Sequence, residues 1–362
     1  MASVPLSIPQ VVTPSLAGSL PSFRWLRHFF HRADLAMDLG TANTLIYMKG
    51  RGIVVNEPSI VAVDEATGAP LAVGQAAKQI FGKTRSSIRC VRPMKDGVIA
   101  DFEMTALMIQ HMLREAGVKK GPRKPLVVIG VPSGITQVEK RAVIDAAICS
   151  GAREVLLVEE PMAAALGSDL PIDRPVGNMI VDIGGGTTEV AIISLNATLY
   201  SHSVRVAGDE MDEAIQRHLR REHGIEVGIF EAERIKLILG SALPFSTPRS
   251  IEVFGRDTAT SLPRKGTITD GEVRAALHDP VSAIVASVSA ALEQTSAEVS
   301  QDIGTRGSYL AGGGALLKGL AERLERETGV KFYRTPDPLT CVVRGVGKIV
   351  ENLRTLTPLC IS

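Results

Sequence analysis

Apolar residues in this chain follow two alternating patterns. Short runs such as Leu126–Val131 are apolar throughout and have the length and β-branched content of strands buried on both faces. Asp101–Ala116 instead spaces Phe102, Leu107, Ile109 and Leu113 among polar residues and stops at Gly117, which predicts an amphipathic helix. Thr136–Cys149 is predicted as a second helix with Gly151 near its stop, and Val155–Val158 as a strand. Short strands are also expected at Ile53–Val55, Ser59–Val63 and Leu71–Val73, broken by turn residues such as Asp64 and Gly68. Further on, Met211, Ile215 and Leu219 recur at helical spacing, and Phe230–Leu239 reads as another helix. Arg249–Arg256 and Gly266–Thr269 read as strands, Asp270–Glu298 as a helix interrupted near Pro280, and Leu339–Leu353 as the last helix. The alternation predicts an α/β protein.

Two of the strands lead into glycine turns. Asn178–Ile193 (NMIVDIGGGTTEVAII) places Asp182 between Val181 and Ile183, then Gly184, Gly185 and Gly186, then Thr187, Thr188 and a β-branched return strand. Side-chain-free residues let backbone N–H groups turn toward a ligand, and a phosphate suits such a concavity. Taken alone, the stretch reads equally as an ordinary glycine-rich hairpin. Ala36–Ile46 (AMDLGTANTLI) repeats the scheme, with Asp38 standing 144 residues before Asp182. Two copies suggest an internally duplicated fold. If the halves face each other, Asp38 and Asp182 converge on one metal–polyphosphate, each suited to a hydrated Mg²⁺.

A third glycine turn, Gly312–Gly314, follows the apolar Tyr309–Ala311 and permits a flat group such as adenine to lie against the backbone. Glu160 precedes Pro161, which pre-sets a helix start, so the acid sits at the carboxyl end of a strand, where open α/β sheets place ligands. It could orient a water; the plainer alternative is a favourable carboxylate at a helix N-terminus. Gly82-Lys83-Thr84 has the ending of a P-loop, but Ala77 stands where its first glycine is required.

The N-terminal region differs from the rest. Residues 1–21 carry Pro5, Pro9, Pro14 and Pro21, with no basic region before an apolar core, which predicts a disordered tail rather than a signal peptide. In Ser22–Arg32, Phe23, Trp25, Leu26, Phe29 and Phe30 fall within one arc of about 160° at ~100° per residue, opposite Arg24, Arg27, His28, His31 and Arg32. A basic face opposite a Trp/Phe face is the pattern of a helix lying in a membrane interface; a short helix docked on the domain is the alternative. The basic loop Lys119–Lys124 is either a lipid contact or a solvated turn.

Composition narrows the classes. At 362 residues with 45% hydrophobic content the chain can fill two sizeable cores. Forty basic against 39 acidic residues give no global case for nucleic acid as a partner. Cys90, Cys149, Cys341 and Cys360 are scattered, so neither a disulfide framework nor a zinc site is indicated by the cysteines. The longest apolar runs are too short to cross a bilayer, which predicts a cytoplasmic or membrane-peripheral protein.

With DLGTANT, EEPMAAA, VDIGGGTTEVAII, AGDEMDEAI, AERIK and AGGGALLKGL in this order, the chain from Ala33 to about Leu353 resembles the MreB family of bacterial actins. The resemblance implies the actin/Hsp70/sugar-kinase ATPase fold, in which two related ribonuclease H-like domains, each with an outer subdomain, close on Mg-ATP. It implies residues 33–61, 95–174 and 344–362 as subdomain IA, 62–94 as IB, 175–210 and 275–343 as IIA, and 211–274 as IIB. Gly40, Thr41, Ala42 and Asn43 would form the first phosphate loop, Gly184, Gly185, Gly186 and Thr187 the second. Asp38 and Asp182 would hold the hydrated magnesium, and Glu160 and Thr187 would position the attacking water. Gly208, Glu213, Glu233 and Lys236 would line the ribose and adenine side, with Gly312, Gly313 and Gly314 against the adenosine.

The function so implied is an ATP-dependent homopolymer of paired protofilaments on anionic inner-membrane lipid, maintaining rod shape by guiding cell-wall synthesis with membrane proteins of the elongation machinery. Its ATPase would be weak and coupled to assembly. A close paralogue, a metabolic kinase or an Hsp70-like chaperone of the same fold are the alternatives; no additional acid stands out as a kinase base, and no substrate-binding domain is expected after the last helix. The Lys119–Lys124 stretch departs from relatives that carry bulky apolar residues there, as does the proline-rich extension.

Overall fold

Two five-stranded sheets share one topology. The computed structural model describes residues 34–361 apart from 86, 119, 120, 122 and 123. The tail, the Ser22–Arg32 segment and most of the basic loop lie outside the described residues. In the first sheet the order is Gly52–Pro58, Asn43–Met48, Leu35–Leu39, Leu126–Val131, Glu154–Glu159; in the second it is Ala197–Val204, Thr188–Ser194, Asn178–Ile183, Ser308–Ala311, Phe332–Arg334. In each, the first three strands of the sequence form an antiparallel meander, and two later strands add in parallel beside the first. Parallel neighbours need crossovers, and helices supply them in both halves. Phe102–Glu115 and Gln137–Ser150 precede the parallel strands of the first sheet, and Ala297–Arg306 and Leu320–Thr328 those of the second. The expected duplication is therefore visible strand by strand, down to a register irregularity at Ile46/Tyr47 and at Ile192/Ile193.

Local chemistry starts the crossover helices where the sequence predicts. The Asp101 side chain accepts from Met104 N, and Thr136 and Glu139 form a reciprocal capping box. Between the sheets lie two helices, Glu160–Gly167 and Cys341–Glu351. Their apolar faces fill a core that also takes Ala36, Val128 and Val158 from the first sheet and Ile180, Ala191 and Ile193 from the second. The helices cross so closely that a Cβ on Gly167 would collide with the Cys341 carbonyl, and one on Gly345 with that of Ala163. Separate cores fill the outer side of each sheet.

Each half carries an insertion after its meander. Pro70–Val73, Val61–Asp64 and Ile88–Val91 form a small sheet beside helix Gln75–Ile80; Ile225–Glu226, Ser250–Asp257 and Pro263–Thr269 form the other, with helices Gly208–His218, Ile229–Leu239 and Asp270–Ala276. The insertions touch. The Phe81 ring meets Phe230 edge-on at 5.3 Å, and Lys78 Nζ lies 4.8 Å over Phe230 and 3.1 Å from Glu233.

The expected interruption near Pro280 is present, while other elements differ from expectation. The helix predicted over Asp270–Glu298 breaks at Leu277, three residues before Pro280, which sits in the first turn of the next helix where its missing N–H costs nothing. That next helix, His278–Glu293, ends before Glu298, and Ser296 caps a new one. The strands Ile88–Val91, Ala197–Val204 and Phe332–Arg334 were not expected, because their polar, half-exposed sequences lack a continuous apolar run. Among the described residues no single helix is long and apolar enough to cross a membrane.

Candidate functional site

Asp38 and Asp182 occupy the penultimate positions of the equivalent strands Leu35–Leu39 and Asn178–Ile183. Each strand leads into its glycine turn at the same end of its sheet, and the turns meet. The first is anchored by Ser59, whose N–H donates to Ala42 O at 3.0 Å and whose hydroxyl donates to Gly40 O at 2.6 Å. The second is pinned by Gly184 N to Thr187 O at 2.9 Å and Asp209 N to Gly185 O at 2.7 Å. A Cβ on Gly185 would stand 2.8 Å from that of Ala42, and one on Gly186 2.9 Å from Thr41 Oγ1, so glycine is what lets the turns approach. The N–H groups of Thr41, Ala42, Gly185 and Gly186 find no partner among the described residues. Such a group of free donors is a cradle for anionic oxygens.

The turns line a cavity of about 130 Å³ together with Asp38, Asn43, Glu160, Asp182, Thr187, Gly312 and Gly313. Glu160 is the first residue of helix Glu160–Gly167, directly after the strand Glu154–Glu159. With Glu189, the cluster contains four carboxyls, of which Asp182 and Glu189 are buried and Asp38 and Glu160 half-buried. Burial pushes Asp38 up to about 7; burial, then the charges of Asp38 and Glu189, push Asp182 up to about 8. Glu160 is raised well above the ordinary range by burial and then by Asp38, Glu189 and Asp182. Glu189 rises to about 7, chiefly by burial, against hydrogen bonds from Ser203 and Ser133. Among the described residues no basic side chain offsets the raised acids Asp38, Asp182 and Glu160. Like charges that are buried without a cation take up protons or a metal, so this donor set fits a hard divalent ion.

A second chamber of about 240 Å³ continues from the first, sharing Ala42, Asn43, Gly185, Gly313 and Leu339. Gly208, Glu233, Lys236 and Gly314 are among the residues that line it. Lys236 Nζ donates to Gly208 O at 2.8 Å and to Asp212 at 2.9 Å, while Leu237, Leu316, Leu317 and Leu339 give it an apolar wall. The Gly312 backbone, at φ +75°, packs against Ile183 O and the Asp182 carboxylate, leaving no space for a side chain. A larger cavity of about 510 Å³ lies beside Arg217 and His218, with neither glycine turn nor carboxylate cluster, so volume alone does not choose the site.

One expected residue is placed elsewhere. Glu213 is exposed on helix Gly208–His218 and lies 3.6 Å from Arg217; Asp212 takes the cavity position and is buried, with its carboxyl pushed up to about 6 by burial against the opposing pull of Lys236. The spacing already contained this, since Met211 and Ile215 face the core and Glu213, about 200° from Met211, must face away. Three further residues were not singled out from sequence. Arg92 bonds Asp209 at 3.0 Å and Thr41 O at 3.4 Å, Lys78 reaches Glu233, and Glu189 stands opposite Asp182. For Arg92 and Lys78 no local signal exists, because their carboxylate partners Asp209 and Glu233 are more than a hundred residues away.

Comparison with known proteins agrees with this geometry. The family model described as MreB/Mbl protein matches residues 32–358. The cell shape-determining protein MreB of Escherichia coli (strain K12) is 52% identical over 325 residues, 88% of this chain and 94% of that protein. Mbl of Bacillus subtilis (strain 168), also cell shape-determining, is 43% identical over 323 residues, 89% of this chain and 97% of that one. The crystal structure of MreB5 of Spiroplasma citri bound to ADP superposes with a TM-score of 0.85 at 37% identity, covering 90% of this chain and 98% of that one. The fold is thus the actin-like ATPase fold, two related α/β halves around a cleft, and the chain belongs to the MreB/Mbl family of cell shape-determining proteins.

Proposed function

We propose that this protein binds Mg-ATP in the cleft and couples slow hydrolysis to assembly into membrane-attached filaments that maintain rod shape by guiding cell-wall synthesis. The observation that carries the reading is the convergence of Asp38 and Asp182, from equivalent strands of two sheets, on one cavity with free backbone donors. Structures of MreB5 bound to ADP and to AMPPNP support a nucleotide in this place. The reading keeps the division into inner subdomains 33–61, 95–174, 344–362 and 175–210, 275–343, with 62–94 and 211–274 as the outer pair.

Asp38 and Asp182 would hold a hydrated magnesium, which when bound neutralises charge on the phosphates. The two glycine turns cradle the phosphate oxygens through their N–H groups. Asp212, Glu233 and Lys236 face the ribose, and the Gly312–Gly314 backbone with Leu316, Leu317 and Leu339 packs the base. Phosphoryl transfer needs positioning and charge stabilisation more than a protein nucleophile. Glu160, at the far side of the phosphate cradle, and Thr187 orient the attacking water. Self-association supplies the final alignment, which keeps the monomer slow.

The membrane part rests on Phe23, Trp25, Leu26, Phe29 and Phe30 against the arginine face. An eleven-residue helix is marginal in water, so it folds on anionic lipid, and a polymer presenting many copies binds by avidity. Sedimentation with ATP, with and without anionic liposomes, tests both parts. Removing residues 1–32, or changing Trp25 and Phe29 to Glu, should abolish liposome co-sedimentation and leave ATP-dependent polymer in solution. Pelleting with liposomes at the full-chain level would move the contact elsewhere; no ATP-dependent polymer from the full chain would overturn the filament reading.

A further inference from the structure

Outside the cleft, three metal-ligating side chains converge where helix Gly208–His218 ends. A five-residue π-turn, Leu219–His223, follows directly. Five residues along an ordinary α-helix lie about 140° around its axis, which would send His218 and His223 to different faces. The wider i→i+5 turn brings the fifth residue back toward the same side. The two rings stand 6.1 Å apart. Glu272, in the first turn of helix Asp270–Ala276, supplies a carboxylate with its two oxygens divided. Oε2 accepts from Thr269 N at 2.9 Å and Thr269 Oγ1 at 2.6 Å, and Oε1 is 2.8 Å from His223 Nε2. One ligand atom from each of the three residues lies within 4.8 Å of the others, and His218 Nε2 is buried with no partner among the described residues.

We propose that His218, His223 and Glu272 form a site for one zinc-class divalent ion, which ties the π-turn to the start of helix Asp270–Ala276. Two imidazoles and one carboxylate are the donor set of three-ligand zinc centres, in which a water takes the fourth position. The ion replaces the proton shared by His223 Nε2 and Glu272, and it gives His218 Nε2 the partner it lacks. Thr269, already bonded to the other Glu272 oxygen, holds the carboxylate in place. Two arginines that line the same cavity as His218 are themselves engaged, Arg217 with Glu210 and Arg221 with Glu222, each at 2.6 Å. His218 also lines the 510 Å³ cavity, which gives an ion an approach from solvent. Nitrogen donors select against magnesium, so the two sites take different ions.

The test is equilibrium dialysis of the full-length, nucleotide-free protein against zinc, with magnesium in excess to occupy the cleft acids. One zinc per chain is expected, and cobalt in its place should show the visible absorption of a four-coordinate ion without a thiolate band. His218→Ala and His223→Gln should each weaken zinc binding about 100-fold or more, since displacing even an outer partner of a zinc ligand costs 10–100-fold. Glutamine at 223 can still bond Glu272, so the metal-free stability of that variant should match the parent. His278→Ala, an exposed histidine beside Asp279, should leave binding unchanged. No zinc on the parent chain overturns the proposal, as does zinc retained by His218→Ala but lost by Cys149→Ser, which would place the ion on an exposed thiol.

Discussion

The two glycine turns hold the same place in sheets of one topology, yet they differ at the residue facing each aspartate. Across the hairpin from Asp38 stands Leu45; across from Asp182 stands Glu189. Leu45 is buried and uncharged, and it lines the cavity between the turns. Glu189 accepts from Ser203 Oγ at 2.5 Å within its own sheet and from Ser133 N at 3.1 Å, just past the strand Leu126–Val131 of the other sheet. Duplication thus repeated the ligand-facing acid and freed the position opposite it to diverge, and the second copy became a joint between the halves. Burial is the first cause of the raised pKa at both aspartates, but Asp182 also feels the charges of Asp38 and Glu189, whereas burial alone acts on Asp38.

The largest effect should come from removing either acid. Asp182→Ala is expected to lower Mg-ATP affinity about 100-fold or more, and Asp38→Ala by a similar order, because charge-assisted contacts in a buried site are each worth several kcal/mol. Calorimetric titration of the folded variants reads this, and unchanged affinity in Asp182→Ala would remove the site assignment. If only one variant loses binding, the halves are not equivalent at the metal, and the asymmetry at Glu189 reaches the ligand itself.

Glu160 comes next. Glu160→Ala should bind ATP and assemble, but release phosphate roughly 100-fold more slowly, in the lower range for a positioned proton acceptor. The phosphate cradle is untouched by this change, whereas the water loses its orienting group. Phosphate release at the parent rate would leave Glu160 as no more than an acid at a helix N-terminus.

The paired acids also set a pH dependence. Asp38, Asp182 and Glu189 have folded-state pKa values of about 7, 8 and 7, above their ordinary values of 3.8, 3.8 and 4.5. The folded chain therefore binds more protons than the unfolded one between about pH 4 and 8, and nucleotide-free stability should fall as pH rises through that window. Asp182→Asn should flatten the fall, giving a Tm at pH 8 higher than the parent's without ligand and lower with Mg-ATP. Thermal unfolding at pH 5 and pH 8 checks the sign; a parent that gains stability toward pH 8 would contradict the buried, unpaired cluster.

Much of this cleft was legible in the sequence because it depends on local spacing. Asp38, Asp182, both turns and Glu160 are fixed by an acid followed by glycines, or by an acid followed by proline, and the residues leading to the aspartates, Leu35 to Met37 and Met179 to Val181, are apolar. The helix crossing at Gly167 and Gly345 was not legible, since each glycine looks like any other until the partner helix is in place. Asp212 was missed although the spacing contained it: the motif drew attention to its neighbour Glu213, while Met211 and Ile215 already set the direction of the inner face. The zinc-class cluster lay beyond reach for a firmer reason. An i, i+5 histidine pair has no meaning on an α-helix, and only the π-turn brings the rings together.

The smallest expected effect concerns the open end of the cleft, where the two halves meet through their insertions. Lys78 bonds Glu233 at 3.1 Å and lies over Phe230, which itself meets Phe81 edge-on. Lys78 and Glu233 are each about a third exposed, at 32% and 38%, so water screens the pair and it contributes about 0–1 kcal/mol. Glu233 nevertheless lines the second chamber, and releasing it from Lys78 frees a carboxylate beside the ligand while loosening the contact that spans the cleft. Lys78→Ala should therefore weaken nucleotide binding only about two- to fivefold, mainly through faster dissociation, which that range of energy allows. Phe230→Ala, which removes the aromatic edge contact as well, should exceed it. Stopped-flow displacement of a fluorescent nucleotide distinguishes the two. A Lys78→Ala variant slowed only in association would show that the pair acts before closure, leaving Glu189 and Ser133 as the joint that sets how long the cleft stays shut.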